Sequence, residues 1–404
     1  MEKTPPRFKY FVKCISIGGN QFEDKPFSIL YLFYQIFLVI PSYLCWFAEV
    51  MDLILHWGDF KRVMQTAVSL IPITACIWVA VYFKIKRKSF QELILLADQF
   101  VWEHLPKWNP ETGLPTKAGF IAMTEKYISI VALNGTLLAW GYIIYRSYQS
   151  PEGLGFNVWL PFDASHSPIR EIVMLYQIYS IIFNAANFYG YMALYIVFIS
   201  IACTQLQQVG MQLNSYRQEK EGDDENGRSM EFDEKYEDED ERLASCVKLH
   251  QETLEFMQAM ESTFNFPILG HFIMILAASC FASFSAVVTW GDMESLLMVV
   301  LVFVSLPLNL VVYCMLGEEL TMQAEELDDS IWSCNWVGAS KKQQHAILFM
   351  KAVSSKEFCL TAGGFIPVSR HTMSVMANQV MSYTMFLINV KEENEGHGQY
   401  STKR

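Results

Sequence analysis

The sequence predicts an all-α integral membrane protein with seven transmembrane helices, a cytoplasmic N-terminus, an extracellular C-terminus and an additional cytoplasmic helix before the last span. Three observations carry this. Of 404 residues, 52% are hydrophobic but only 18% are charged, against about 25% in an ordinary soluble domain. The charges are segregated, leaving runs of the roughly 20 apolar residues that a helix needs to cross a bilayer. Basic residues gather at the ends of those runs in a pattern that orients them.

Residues 1–26 mix Lys3, Arg7, Lys9 and Lys13 with Glu23, Asp24 and Lys25. No apolar run follows a basic one there, so no cleavable signal peptide is expected. The spans read as Phe27–Leu53, Met64–Phe83, Tyr127–Tyr148, Ile172–Gln205, Pro267–Trp290, Leu296–Leu316 and Ser369–Val390. The first four make up residues 27–206. The fourth exceeds what a membrane requires, so its end projects into water. "KIKRKS", with Lys84, Lys86, Arg87 and Lys88, directly follows the second span and marks the cytoplasmic side.

Residues 207–266 form a cytoplasmic projection holding the acidic stretch 219–242, "EKEGDDENGRSMEFDEKYEDEDER". Dense like charge with few apolar residues favours a disordered, solvated loop. A calcium site is the sharper alternative, but the stretch lacks the spaced ligands and turn glycine of an EF-hand. This loop accounts for much of the net charge of −12. Residues 267–316 carry the next two spans. Residues 317–366 form a cytoplasmic anchor region in which Gln343–Leu360 is helical but carries Lys351, Lys356 and Glu357.

The last span, in residues 367–391, sets a puzzle. On a helical wheel His371, Val375, Asn378, Gln379, Ser382, Phe386 and Asn389 share a stripe, while Met373, Met376, Ala377, Val380, Thr384 and Leu387 lie opposite. Each unsatisfied buried amide costs about 1–3 kcal/mol, so a lipid-facing stripe of them is excluded. Either the stripe packs against helices of its own chain, which the wheel alone favours, or it lines water between several copies. Residues 392–404 then form an extracellular tail.

Other constellations are quiet. The nine cysteines show no zinc spacing and read as free, mostly buried thiols. The "NGT" sequon at Asn134 lies mid-span. No nucleophile motif or phosphate-binding glycine loop is present, so neither catalysis nor a cofactor is expected.

Three segments resemble the insect odorant receptor family: "LPFDASHSPIREIVMLYQ" (Leu160–Gln177), "GEELTMQAEELDDSIWSCNWVGASKK" (Gly317–Lys342) and "LTAGGFIPVSRHTMSVMANQVMSYTMFLINV" (Leu360–Val390). The resemblance implies an odorant-gated, non-selective cation channel in the plasma membrane of olfactory sensory neurons. Four subunits would surround a central pore, with this chain as the tuning subunit in a heterotetramer with the odorant receptor co-receptor (Orco), since its loop after the fourth span is short. Neither a G protein nor nucleic acid is implied. Along the last span the resemblance implies a pore wall of Val375, Gln379 and Ser382, a hydrophobic gate at Phe386 and a polar position at Asn389.

The resemblance also implies an odorant pocket in the outer half of the membrane. Its candidates are Ile71, Thr74 and Ala75 on the second span, and Leu138, Gly141, Tyr142 and Tyr145 on the third. Tyr176, Ser180, Ile181 and Asn184 come from the fourth, Phe281, Phe284 and Val288 from the fifth, and Leu297 and Leu301 from the sixth. Such a lining suits a small volatile bearing one polar group. Alternatives are a gustatory receptor-type channel and a secondary transporter, although the duplicated halves expected of a transporter are not found.

Overall fold

A computed structural model of the chain describes residues 5–20, 29–102, 105, 107–108, 115–149, 154–164, 166–216, 232–288, 293–356 and 358–401. Among these, the elements in chain order are α1 (Lys9–Ile17), α2 (Ile29–Tyr34), a π-helical stretch (Gln35–Val39), α3 (Ile40–Leu55), α4 (Phe60–Ile85) and α5 (Arg87–Asp98). They continue as α6 (Lys117–Gln149), α7 (Ile169–Ser215), α8 (Phe232–Val288), α9 (Met293–Ser333), α10 (Lys341–Ser354), a hairpin of β1 (Thr361–Ala362) and β2 (Ile366–Pro367), and α11 (Arg370–Ser401). Four stretches of the described residues are long and apolar enough to cross a membrane: Ile29–Leu55, Arg62–Ile85, Ile169–Ser215 and Glu239–Ala286.

Local chemistry sets the boundaries. Pro41 has no N–H to give the carbonyl four residues back, and the π stretch lies immediately before it, joining α2 to α3 as one rod. Asp59 caps α4 by accepting from the Arg62 backbone N–H. Ser340 and Gln343 form a reciprocal capping box at the start of α10. Gly363 and Gly364 both have positive φ, which lets the chain reverse between β1 and β2 in register Thr361↔Pro367.

α7 is the axis of the bundle. It packs against α1, α3, α4, α6, α8 and α9. At about 1.5 Å per residue, its 47 residues reach about 70 Å and the 57 of α8 about 85 Å. Both exceed a hydrocarbon layer of about 30 Å, so each extends well beyond it.

The middle of α7 is packed by rings. Tyr191, Tyr195 and Phe198 are fully buried with Phe256, Phe264 and Tyr313. Tyr195 meets Tyr313 edge-on at 5.0 Å between centroids, and its hydroxyl donates to the Tyr313 carbonyl at 3.0 Å. The buried phenol is thereby satisfied, as the absence of water demands.

Beyond the rings, the N-terminal half of α8 and the end of α9 dock on α10. Lys351 pairs with Asp328 at 2.6 Å, and Asp240 receives Lys342 at 3.0 Å and the Gln343 amide at 2.8 Å. His250 Nε2 lies 3.0 Å from the Ser354 hydroxyl. The hairpin is tied to α8: the Thr361 N–H donates to Glu261, and the Gly363 N–H to the Asn265 carbonyl at 2.8 Å.

Several boundaries depart from the sequence reading. The N-terminal segment carries α1, whose Phe11, Val12 and Ile15, together with Phe8, are buried. α1 closes on α7 at Gly18, where a Cβ would stand 2.3 Å from the Asn187 side chain. Of the acidic stretch 219–242, residues 219–231 lie outside the described ones, but Phe232–Arg242 opens α8 rather than forming a loop. Asp240 there has its charge answered by Lys342.

α9 runs unbroken across the expected end of the sixth span at Leu316. The expected helix Gln343–Leu360 ends at Ser354, because Leu360 belongs to the segment entering the hairpin. α11 continues to Ser401 through the expected extracellular tail.

Candidate functional site

Above the ring-packed zone the bundle is hollow. A cavity of about 730 Å³ lies among α3, α4, α6, α7, α8 and α9. Small residues make the room: Ala75 and Cys76 on α4, Gly135 and Ala139 on α6, and Ser180 and Ala185 on α7. Larger apolar groups, including Pro72, Ile73, Ile181, Phe188, Ile275 and Val302, complete a predominantly apolar wall. Ile130, Val131 and Leu138 of α6 and Val300 and Leu308 of α9 line the cavity and are also exposed, so it opens sideways past these two helices.

One end is roofed by the segment after α6. The Arg146 guanidinium donates to the Gly155 carbonyl at 3.1 Å and to Asn157 Oδ1 at 2.7 Å. Asn157 donates to the Thr66 hydroxyl at 3.1 Å. Gln177 on α7 accepts from the Gly155 N–H at 3.0 Å and donates to the Phe156 carbonyl at 3.3 Å. The Trp159 N–H donates to the Ala48 carbonyl at 3.0 Å. Phe156 is thereby pinned into the cavity wall.

Polar groups punctuate the lining. Glu49, 3% exposed, accepts from the Ser69 hydroxyl at 3.3 Å. Asp52, one turn along α3, is fully buried and paired with Arg62 at 2.6 Å, with Thr66 also donating to it. On α7 the Asn184 amide nitrogen donates to the Ser180 carbonyl at 2.8 Å and lies 3.3 Å from its hydroxyl, while the amide oxygen has no partner. His271 Nδ1 lies 3.3 Å from the Tyr313 hydroxyl, and its Nε2 has no partner. Among the described residues no His, Cys, Asp or Glu cluster could hold a metal ion, and all nine cysteines are free.

Of the candidates drawn from the sequence, Ala75, Leu138, Ser180, Ile181 and Asn184 line this cavity. The others stand elsewhere. The Thr74 hydroxyl bonds to Trp46 Nε1 at 2.9 Å, and Ile71 packs against the main core. Tyr142 is buried in the main core cluster and does not line the chamber. Gly141 and Tyr145 are exposed, with open space where a Gly141 Cβ would go, and Tyr176 is half-buried away from the lining. Phe284 joins Val63 and Met64 in a separate cluster against which Phe281 and Leu387 of α11 pack. Leu297 is exposed, and the side chains of Val288 and Leu301 lie outside the described residues.

Lining residues that sequence reasoning missed include Cys45, Glu49, Asn134, Gln177, His271 and Asn309. A signal for them existed, since a polar or ionisable residue inside an apolar run marks function by default.

α11 is covered along one narrow face, and Ala377, Met381, Tyr383 and Met385 are exposed as well as the polar stripe. Thr372 and Met376 are buried, with Met373, Val380, Thr384 and Leu387 partly covered. Val375, Asn378, Gln379, Ser382, Phe386 and Asn389 are exposed. Packing of the polar stripe inside its own chain, the alternative the wheel favoured, is therefore corrected: the apolar face takes the contacts with α8 and α9.

Long helices around an apolar chamber, four stretches of them apolar enough to cross a membrane, define the class: a largely helical membrane protein. A family model described as 7tm Odorant receptor matches residues 59–381, and the chain belongs to that family. Among individual proteins it is similar to Drosophila melanogaster odorant receptor 92a, at 24% identity over 61% of this chain and 57% of the relative. It is also similar to odorant receptor 67c, at 22% over 58% and 54%, and to odorant receptor 82a, at 23% over 70% and 73%. The chain thus spans little more than half the length of the first two. The fold resembles the solved olfactory receptor OR5 of Machilis hrabei in complex with eugenol, with a TM-score of 0.74, 16% identity, and 95% of this chain and 97% of that one covered.

Proposed function

We propose that this chain is the odorant-binding subunit of a ligand-gated, non-selective cation channel that opens a shared pore together with the co-receptor, and that it is a receptor rather than an enzyme. The cavity of about 730 Å³ carries the reading, because its apolar wall with a few polar groups suits a small volatile. In this reading α2–α3, α4, α6, α7, α8, α9 and α11 serve as the seven spans, with the N-terminus cytoplasmic. The lateral opening between α6 and α9 would admit an apolar ligand from the bilayer. The gustatory receptor-type channel remains the closest alternative.

The uncovered polar face of α11 supports a pore wall. In a single chain Gln379, Ser382 and Asn389 have no covering partner surface, and in hydrocarbon each would carry the penalty of an unmet amide or hydroxyl. Water shared among four copies removes that penalty, and a ring of Phe386 would close the path by dewetting. Coupling has a physical route, because Leu387 packs in the cluster of Phe284, Val63 and Met64 that joins α8 and α4 to the pore helix. Ligand opens the pore to the extent that it binds the open arrangement better than the closed one.

The test is a current recording with volatile panels on cells expressing the chain with and without the co-receptor. A fast inward current without added nucleotide, present only with the co-receptor, is the expected result. Robust current from the chain alone would move the assignment to the gustatory type, and saturable uptake without conductance would move it to a transporter.

A further inference from the structure

Among the described residues, one that lines the cavity carries a buried amide oxygen without a partner. Asn184 is 5% exposed, and its amide nitrogen is committed to the Ser180 carbonyl at 2.8 Å. A carbonyl can only accept, so this bond fixes which way the amide faces. The oxygen Oδ1 is therefore the atom left over, buried and without a partner. Asn187, one turn further along the same helix, shows the usual arrangement. It is fully buried, donates to the Gly18 carbonyl at 2.9 Å and accepts from the Asn20 amide at 2.7 Å. The two asparagines differ in what they border: Asn187 meets α1, whereas Asn184 borders the cavity.

An amide oxygen cannot donate. Whatever meets Asn184 Oδ1 must bring a hydrogen. Resting on the ligand-receptor reading above, we propose that the cavity selects volatiles bearing a hydroxyl group, alcohols or phenols, which donate to Asn184 Oδ1, over the matching aldehydes, ketones and ethers, which cannot. A carbonyl ligand would bring its own acceptor against an unmet acceptor and leave both unpaired in an apolar chamber. Sites built to bond a hydroxyl discriminate more strongly than sites that only measure size. The unpartnered Nε2 of His271 supplies a second polar point in the same lining.

The experiment measures binding and current in parallel. The purified full-length chain is titrated with primary alkanols of graded length and with the aldehyde, ketone and methyl ether of each, reading thermal-stability shifts. Cells expressing the chain with the co-receptor receive the same panel. Alcohols should bind at least about tenfold more tightly than matched carbonyls, which is about 1.4 kcal/mol, and Asn184→Leu should erase that preference while leaving ether binding in place. Carbonyls that bind as well as or better than alcohols to the unmutated chain overturn the inference, whatever the variant does. Alcohol-selective binding without current upholds the chemistry of the cavity and sinks the channel reading, so the two can fail separately.

Discussion

The same helix serves a solid region and a hollow one. Around Tyr191, Tyr195 and Phe198, rings from α8 and α9 interleave with α7 and leave no room. Two to three turns nearer its N-terminus, at Ser180, Asn184 and Ala185, α7 faces a chamber. The difference is one of side-chain volume. Large aromatic groups meet in one place, and alanine, glycine, serine and cysteine meet in the other. Interior packing is otherwise dense, so a void of this size is a distinct feature of the fold.

The contrast is open to direct attack. The largest effect on folding is expected in the solid region, where Tyr195→Ala removes a fully buried ring and the hydroxyl bonded to Tyr313. A loss of about 3–5 kcal/mol should follow, read as a collapsed melting temperature of the purified chain and little protein at the cell surface. Ala185→Phe places a ring of similar size in the hollow region. It should cost under about 2 kcal/mol because there is space to enter, yet ligand-evoked current should vanish with surface expression intact. If the two substitutions destabilise equally, the solid–hollow distinction is wrong. The smallest effect on stability belongs to Phe386→Ala, since this side chain is 62% exposed in the single chain. Its melting temperature should stay within experimental error while basal leak rises and the ranking of odorants is unchanged. A changed ranking with normal closure would place the gate elsewhere.

The two regions were also unequally legible in the sequence. Apolar runs long enough to span a bilayer marked the rods of α2–α3, α4, α7 and α8, because length and hydropathy are local properties. The spacing of Phe8, Phe11, Val12 and Ile15 carried the helical period of α1 as well, but its short length and flanking lysines hid it. The cavity was harder, since which face of a span turns inward depends on partners distant in sequence. Tyr142 and Asn184 illustrate this: both are polar-tipped residues of long helices, yet one is buried in the main core and the other borders the chamber. Glu49 lay on the first span, which the sequence reading left out of the pocket. A carboxylate in an apolar run could have drawn attention to it. The polar stripe of α11 was visible on the wheel, but what it faces was not, because that depends on contacts the helix's own sequence does not encode.

The central claim is that the stripe on α11 faces water when the assembly is active. Ser382→Cys and Asn389→Cys, each expressed with the co-receptor and exposed to a charged, membrane-impermeant thiol reagent while odorant is applied, test it most directly. The account predicts that the reagent modifies both positions and blocks current, with the unsubstituted chain unaffected. Two cysteines that stay unmodified throughout activation would show that this face never meets the aqueous path.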